Sequence, residues 1–328
     1  MRVLKYTGAL LALVILGALL AGYLCLRGSL PRLDGELRDP GLAAAVQVTR
    51  DARGVPTLTA SNRADLAWAT GFVHAQDRFF EMDLSRRLAA GELAELVGKV
   101  AVEQDRRARL FRFRAIARQV LAQASPEQRA LFAAYTQGVN AGLAALHSRP
   151  WEYWVLAQRP AAWREEDGLL VVYAMWWDLQ AGGFRRGIQR LAVNARLGGP
   201  ECGGGWKCAL SFLYPRGTGW DAPDVSTAEL PAEPAPIPGP EALNLRTAPA
   251  VASRAELPAA SPLPGSNNWA VAGRLTANGG ALVANDMHLN QRVPTIWYHA
   301  RLRIAGQGAD ALDLNGVTLP GAPVLVAG

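Results

Sequence analysis

Cysteine is scarce: there are three in 328 residues, Cys25, Cys202 and Cys208. So few exclude a disulfide-built scaffold. Cys202 and Cys208 flank Gly203-Gly204-Gly205-Trp206-Lys207 and would close a small loop in an oxidising compartment. Zinc is excluded there, because no further ligands stand at suitable spacing. The chain also lacks a His-Glu-x-x-His pair, a P-loop and a dinucleotide fingerprint. No Gly-x-Ser-x-Gly elbow presents a serine for a separate His and Asp. Strong charge of one sign is missing too: the net charge is +6, with arginines dispersed among acids. The cluster Arg106, Arg107, Arg109, Arg112 and Arg114 reads as a solvated helix face, since no nucleic-acid motif accompanies it. No nucleic-acid partner and no cofactor are expected.

What the chain does have is apolar: half its residues are hydrophobic, enough for a substantial core in one large or two ordinary domains. The apolar run at residues 6–26 lies between Arg2 with Lys5 and Arg27. It is long enough to span a bilayer and longer than a usual signal-peptide core. No small-x-small cleavage site follows, and Leu24 before Cys25 does not suit a lipoprotein cut. Residues 1–27 therefore read as an uncleaved anchor in preference to a cleaved signal, and on either reading the remainder lies outside the cytoplasm, in the periplasm or an equivalent space.

A polar connection at residues 30–41 leads to two strands, 43–50 and 55–60, around the turn Asp51-Ala52-Arg53-Gly54. Ser61 or Asn62 caps the next helix, with Asp65 in its first turn and Leu66, Ala69, Phe72 and Val73 on its apolar face. Glu81, Asp83, Arg86 and Arg87 can pair at helical spacing, and His74 reads as a packing histidine. Residues 114–124 are helical in pattern. Ser125-Pro126-Glu127-Gln128 starts a helix that runs to about His147, with Leu131, Phe132, Tyr135, Val139 and Leu143 inward. Residues 151–160 read as irregular, and a further helix passes through Leu169, Val172, Met175 and Trp176. Residues 231–264 are dotted with prolines and read as a linker, whose start falls near 225–235.

The chemistry concentrates where this linker meets Pro264-Gly265-Ser266-Asn267-Asn268-Trp269. A serine hydroxyl is a weak nucleophile without a base beside it. A free α-amine titrates near pH ~8, which suits a general base. A cut before Ser266 would supply nucleophile and base in one residue, and Gly265 tolerates the strained backbone of a scissile position. The following residues, Asn268 to Gly273, read as a buried strand. Asn278-Gly279 between two strand-like runs is a hairpin signal. An antiparallel hairpin brings His288 nearly opposite Ser266, delivering an imidazole or a backbone carbonyl to the new amine.

Gly265-Ser266-Asn267-Asn268-Trp269, Asn285-Asp286-Met287-His288-Leu289 and Val293-Pro294-Thr295-Ile296-Trp297-Tyr298 together resemble the penicillin acylase family of N-terminal nucleophile hydrolases. The runs Gly71 to Asp83 and Arg86 to Gly98 resemble further signatures of that family, and a structural role is expected for both. The resemblance covers nearly all of the chain after the apolar run. It implies an α+β fold, with antiparallel sheets stacked between helical layers (αββα). It implies residues 28–230 as a mostly helical α-chain region, 231–265 as an excised spacer and 266–328 as the start of a β chain. The partners it implies are the two chains of one precursor and a small amide substrate. Ser266 and His288 are the implied catalytic residues, and Gly265-Ser266 is the implied self-cleavage site. Trp176, Leu179 and Gln180 would line the acyl pocket, with core packing as the other reading of Trp176 and Leu179. Arg186 stands where some members carry a glutamate ligand for calcium, and a cation does not ligate calcium, so no metal is expected. The resemblance also reads the chain as a truncated precursor, with the oxyanion-hole residues beyond 328 and no activity in this fragment alone. The acyl group stays open among β-lactam side chains, acyl-homoserine lactones and other amides. A membrane-anchored binding or structural protein that keeps this fold without its chemistry is the competing class. It would run as one chain on a gel, whereas the enzyme would run as two.

Overall fold

The computed structural model describes residues 2–197, 265–289, 291–306 and 311–328. In order these form α1 (Arg2–Gly28), β1 (Gln47–Arg50), β2 (Pro56–Ala60), α2 (Arg63–Ala90), α3 (Ala94–Val97), α4 (Val102–Arg109), α5 (Phe113–Gln123), α6 (Pro126–Ala144), α7 (Trp151–Val155) and α8 (Asp167–Leu197). Then come β3 (Gly265–Val271), β4 (Leu282–His288), β5 (Tyr298–Ile304), β6 (Leu312–Thr318) and β7 (Leu325–Ala327). Two compact units result: Met1–Trp177 with Ser266–Gly328, and Asp178–Gly265. The described part of the second unit is the later portion of α8 and Gly265. The class is α+β.

Tyr6–Gly28 of α1 has a mean hydropathy of 2.6 and no buried share, so by length and composition it can cross a membrane. α2 is the centre of the first unit. Its N-cap is Asn62, whose side chain accepts the Asp65 N–H at 2.9 Å. The buried Asp65 carboxylate in turn accepts the N–H groups of Ala43 and Ala44, at 2.9 and 3.0 Å. That use of both amides explains why the first strand begins at Gln47 and not at residue 43 as expected. Gly91, at φ 70°, ends the helix and returns its N–H to Arg87.

The sequence suggests one apolar face on α2, but the helix buries two. Leu66, Ala69 and Val73 pack with Leu58, Ala60, Tyr298, Ala300, Leu302 and Ile304 of the sheet. Ala75, Phe79 and Met82 pack with Tyr135, Val139, Tyr153 and Trp163 on the helical side. Burying each large side chain of this kind contributes about 1.5–3 kcal/mol. α6 starts with the expected capping box at Ser125 and Gln128. It ends at Ala144, a little before the expected His147. It crosses α2 with the backbones in contact: a Cβ on Gly138 would lie 1.9 Å from the Trp68 carbonyl, and one on Gly71 2.3 Å from that of Tyr135. Residues 151–155, read as irregular, form the short helix α7.

The larger sheet has the order β1-β2-β5-β6-β7. β1 pairs antiparallel with β2, and β5 antiparallel with β6, with Tyr298 opposite Thr318. At its centre one pair is parallel: β2 and β5, with Leu58 opposite Leu302. A parallel pair needs a long crossover, and local hairpin signals carry no information about it. Along β5, Tyr298, Ala300, Leu302 and Ile304 face inward, while His299, Arg301 and Arg303 face out.

Candidate active site

β3 and β4 form a two-stranded sheet of their own. Residues 272–281 connect them in a longer loop, not the tight two-residue turn that Asn278-Gly279 suggests. Gly273–Leu275 is a 3-10 turn, and only Gly279 of the dipeptide takes a positive φ, 75°. The Thr276 hydroxyl shares its proton between the carbonyls of Gly273 and Gly280, at 2.8 and 2.7 Å, and Asn278 Oδ1 accepts the Gly280 N–H at 3.0 Å. Gly273 presses so closely on the Gly279 carbonyl that a Cβ would sit 2.1 Å from its oxygen. The loop therefore brings the end of β3 to the start of β4. Ser266 stands near the start of β3 and His288 is the last residue of β4, on the two paired strands.

The expected burial of this strand is not found. Residues 266–270 are all exposed, Trp269 at 54%. Apolar letters signalled a covered strand, but among the described residues no layer covers it. His288 Nε2 lies 2.7 Å from Asp286 Oδ2, a pair made by neighbours two apart on one strand face. The sequence reading singled out His288 and passed over Asp286, although their spacing on a strand was the available signal.

Trp176 is half exposed and stands edge-on to Phe113, with ring centroids 6.1 Å apart. Its neighbour Trp177 packs more closely, 4.4 Å from Phe111. Trp176 belongs to the first unit, whereas Leu179 and Gln180, both exposed, belong to the second. Arg186 is exposed. Cys202, Cys208 and the linker at 231–264 lie outside the described residues.

The upstream signatures hold the scaffold together. Asp77 Oδ2 accepts from Arg50 at 2.9 Å and from the Tyr298 hydroxyl. Asp83 accepts from Arg86 at 2.7 Å, Arg87 at 2.9 Å and the Tyr153 hydroxyl at 2.6 Å. Arg86 also reaches the buried Asp167 and the carbonyls of Ala161 and Ala162. Asp167 is held again by Arg114, which clasps Glu92. Of the five arginines expected on one solvated face, Arg106 and Arg107 are exposed and pair with exposed Glu103, whereas Arg114 turns inward to Glu92 and the buried Asp167.

His74 is the packing histidine the sequence suggested, and its partners fix its tautomer. Thr318 Oγ1 donates to the Tyr298 carbonyl at 3.0 Å, so it accepts from His74 Nε2–H at 2.8 Å. His74 Nδ1 then accepts the Tyr135 hydroxyl at 2.8 Å, and that hydroxyl accepts the Gly321 N–H at 2.8 Å. Burial, aided by Arg78, pushes the imidazole down to about 3. A depressed folded value means the unfolded chain takes up the proton first. Stability from His74 is therefore complete above about pH 6.5 and falls by about 1.4 kcal/mol per unit as pH drops from there towards 3. Urea unfolding of the wild type and His74→Gln across this window checks it. The wild type is expected to lose stability more steeply on acidification, and parallel curves would reject the assignment.

Residues 45–328 match the penicillin amidase family. The penicillin acylase 2 proenzyme of Pseudomonas sp. (strain SE83) is 35% identical over 303 residues, 91% of this chain and 36% of that protein. An acyl-homoserine lactone acylase, QuiP, of Pseudomonas aeruginosa is 32% identical over 303 residues, 92% of this chain and 34% of its own length. The chain thus spans about a third of the length of these relatives. Among solved structures, a thermostable penicillin G acylase from Alcaligenes faecalis in tetragonal form shares 26% identity, with a TM-score of 0.45 over 56% of this chain and 97% of that one. The family match takes in both sheets and every helix from α2 to α8, and the chain belongs to the penicillin amidase family.

Proposed function

We propose that this protein is an exported amidohydrolase that acts through Ser266 as a new N-terminus. What supports this reading is the pairing of β3, whose second residue is Ser266, with β4, whose last residue is His288. Family membership and a relative named as a proenzyme point the same way. In the maturation step the Ser266 hydroxyl attacks the Gly265 carbonyl carbon and the Gly265–Ser266 C–N bond breaks. Water then hydrolyses the resulting ester, freeing the Ser266 amine and the Gly265 carboxylate. In turnover the same oxygen attacks a substrate amide, its proton passes to the α-amine, and the departing amine takes that proton. Water hydrolyses the acyl-enzyme and restores the hydroxyl. His288 orients or assists the amine. Trp176, Leu179 and Gln180 act on acyl choice, with an apolar acyl group suiting the large aromatic wall. The relatives' names point to β-lactam side chains or acyl-homoserine lactones as the substrate class.

The apolar α1 supports anchorage in the membrane with the remainder outside the cytoplasm. One experiment tests maturation and location together. Cells expressing the full-length protein are fractionated, the membranes are washed at alkaline pH, and the retained fragments are sequenced from their N-termini. The β chain is expected to begin Ser-Asn-Asn-Trp, beside an α chain that resists the wash. An intact active chain rejects the mechanism, and recovery in the cytosol rejects export.

A further inference from the structure

Asp286 and His288 are both largely exposed, with side chains at 66% and 51%, and their bond spans 2.7 Å. An exposed pair of this kind contributes little to stability. Its consequence is chemical. A carboxylate can only accept, so the hydrogen of the neutral ring sits on Nε2 and the lone pair on Nδ1. The pair thereby fixes which ring nitrogen can receive a hydrogen bond, and it does so on the strand paired with the one that carries Ser266.

We propose that Asp286 is a positioning residue for the chemistry of Ser266, holding His288 in the Nε2–H form so that Nδ1 accepts a hydrogen bond from the Ser266 α-amine. This rests on the N-terminal serine reading above. An amine that donates one N–H to Nδ1 keeps its own lone pair aimed at the serine hydroxyl, so proton transfer begins from one oriented arrangement. Asp286 acts only through the ring, as the third group of a nucleophile, base and orienter series does.

The test uses an arylsulfonyl fluoride, a small electrophile that does not depend on acyl preference, on the processed full-length protein. Labelling forms the Oγ–S bond and breaks S–F, with fluoride leaving and the hydroxyl proton passing through the amine to solvent. The second-order rate of labelling at Ser266, followed by mass spectrometry, is expected to fall by about tenfold to a hundredfold in Asp286→Asn, within what one general-base helper supplies. In a His288→Ala background, Asp286→Asn is expected to add no further loss. Nitrogen NMR of His288 is expected to show the Nε2–H form in the wild type and a shift towards Nδ1–H in Asp286→Asn, a signature that simple loosening of the hairpin does not give.

An unchanged labelling rate, an equal loss without His288, or an unchanged tautomer each overturns the proposal while leaving Ser266 as nucleophile. No labelling of wild-type Ser266, or undiminished amide hydrolysis by Ser266→Ala, removes the underlying reading and this proposal with it.

Discussion

Ser266→Ala is expected to leave the full-length protein as one uncut chain without amide hydrolysis above background. Alanine has no oxygen to attack the Gly265 carbonyl, so the amine that would serve as base is never released. Nucleophile and base are lost together, and residues that act as a unit lose about 10⁴-fold or more in turnover when the nucleophile goes. Ser266→Cys separates the two losses. A thiol can carry out the same acyl shift, so the Cys variant is expected to be cut and to run as two chains, with its own rate of turnover. The checks are a denaturing gel and hydrolysis of a panel of acyl p-nitroanilides. A Ser266→Ala protein that is cut, or that hydrolyses amides at the wild-type rate, contradicts the mechanism.

The largest effect on stability is expected at Arg86. Its guanidinium joins two fully buried carboxylates, Asp83 and Asp167, and two loop carbonyls. Its planar guanidinium also lies over Trp163, with Cζ 4.8 Å from the ring centroid. Arg86→Met keeps much of the stem's packing but removes the charge that faces both carboxylates. Breaking a buried pair on one side costs about 3–5 kcal/mol, because the remaining charge stays buried. Urea unfolding should show that loss, with little dependence on salt because the site is buried. Arg107→Met, at an exposed pair with Glu103, is expected to cost less than about 1 kcal/mol. If the two variants unfold alike, the buried network does not carry the weight assigned to it.

Caps and local pairs were the legible parts of this chain. Ser125-Pro126-Glu127-Gln128 announces α6, and Asn62 with Asp65 announces α2, because capping is written within one turn of helix. The pairing of the two strands that carry Ser266 and His288 was legible for the same reason. Their loop was not: the Thr276 hydroxyl and the Gly273 contact build a longer connection than the dipeptide code indicates. Nor could the parallel pairing of Leu58 with Leu302 be read, since no local signal links residues so far apart. Asp65 shows a subtler limit. It was read as a first-turn acid, yet its carboxylate also takes the amides that would have lengthened β1. Its second task depends on residues that approach only in three dimensions. Ser266 itself was singled out from chemistry rather than pattern, since a Gly-Ser junction before a strand is ordinary until an α-amine is counted as a base.

The parallel seam between β2 and β5 bears on what a break before Ser266 does to the molecule. β2 precedes the break and β5 follows it, and they lie side by side in the middle of one ladder. The His74 chain ties the same two stretches a second time, running from α2 and α6 into Thr318 and Gly321. Opening the backbone there removes a covalent thread but no rung of the sheet. The two products are interleaved and do not simply abut, so separating them requires unravelling a shared core. Native chromatography should therefore carry both pieces in one peak, and only a denaturant should part them. The nicked first unit would have two polypeptides and one shared core.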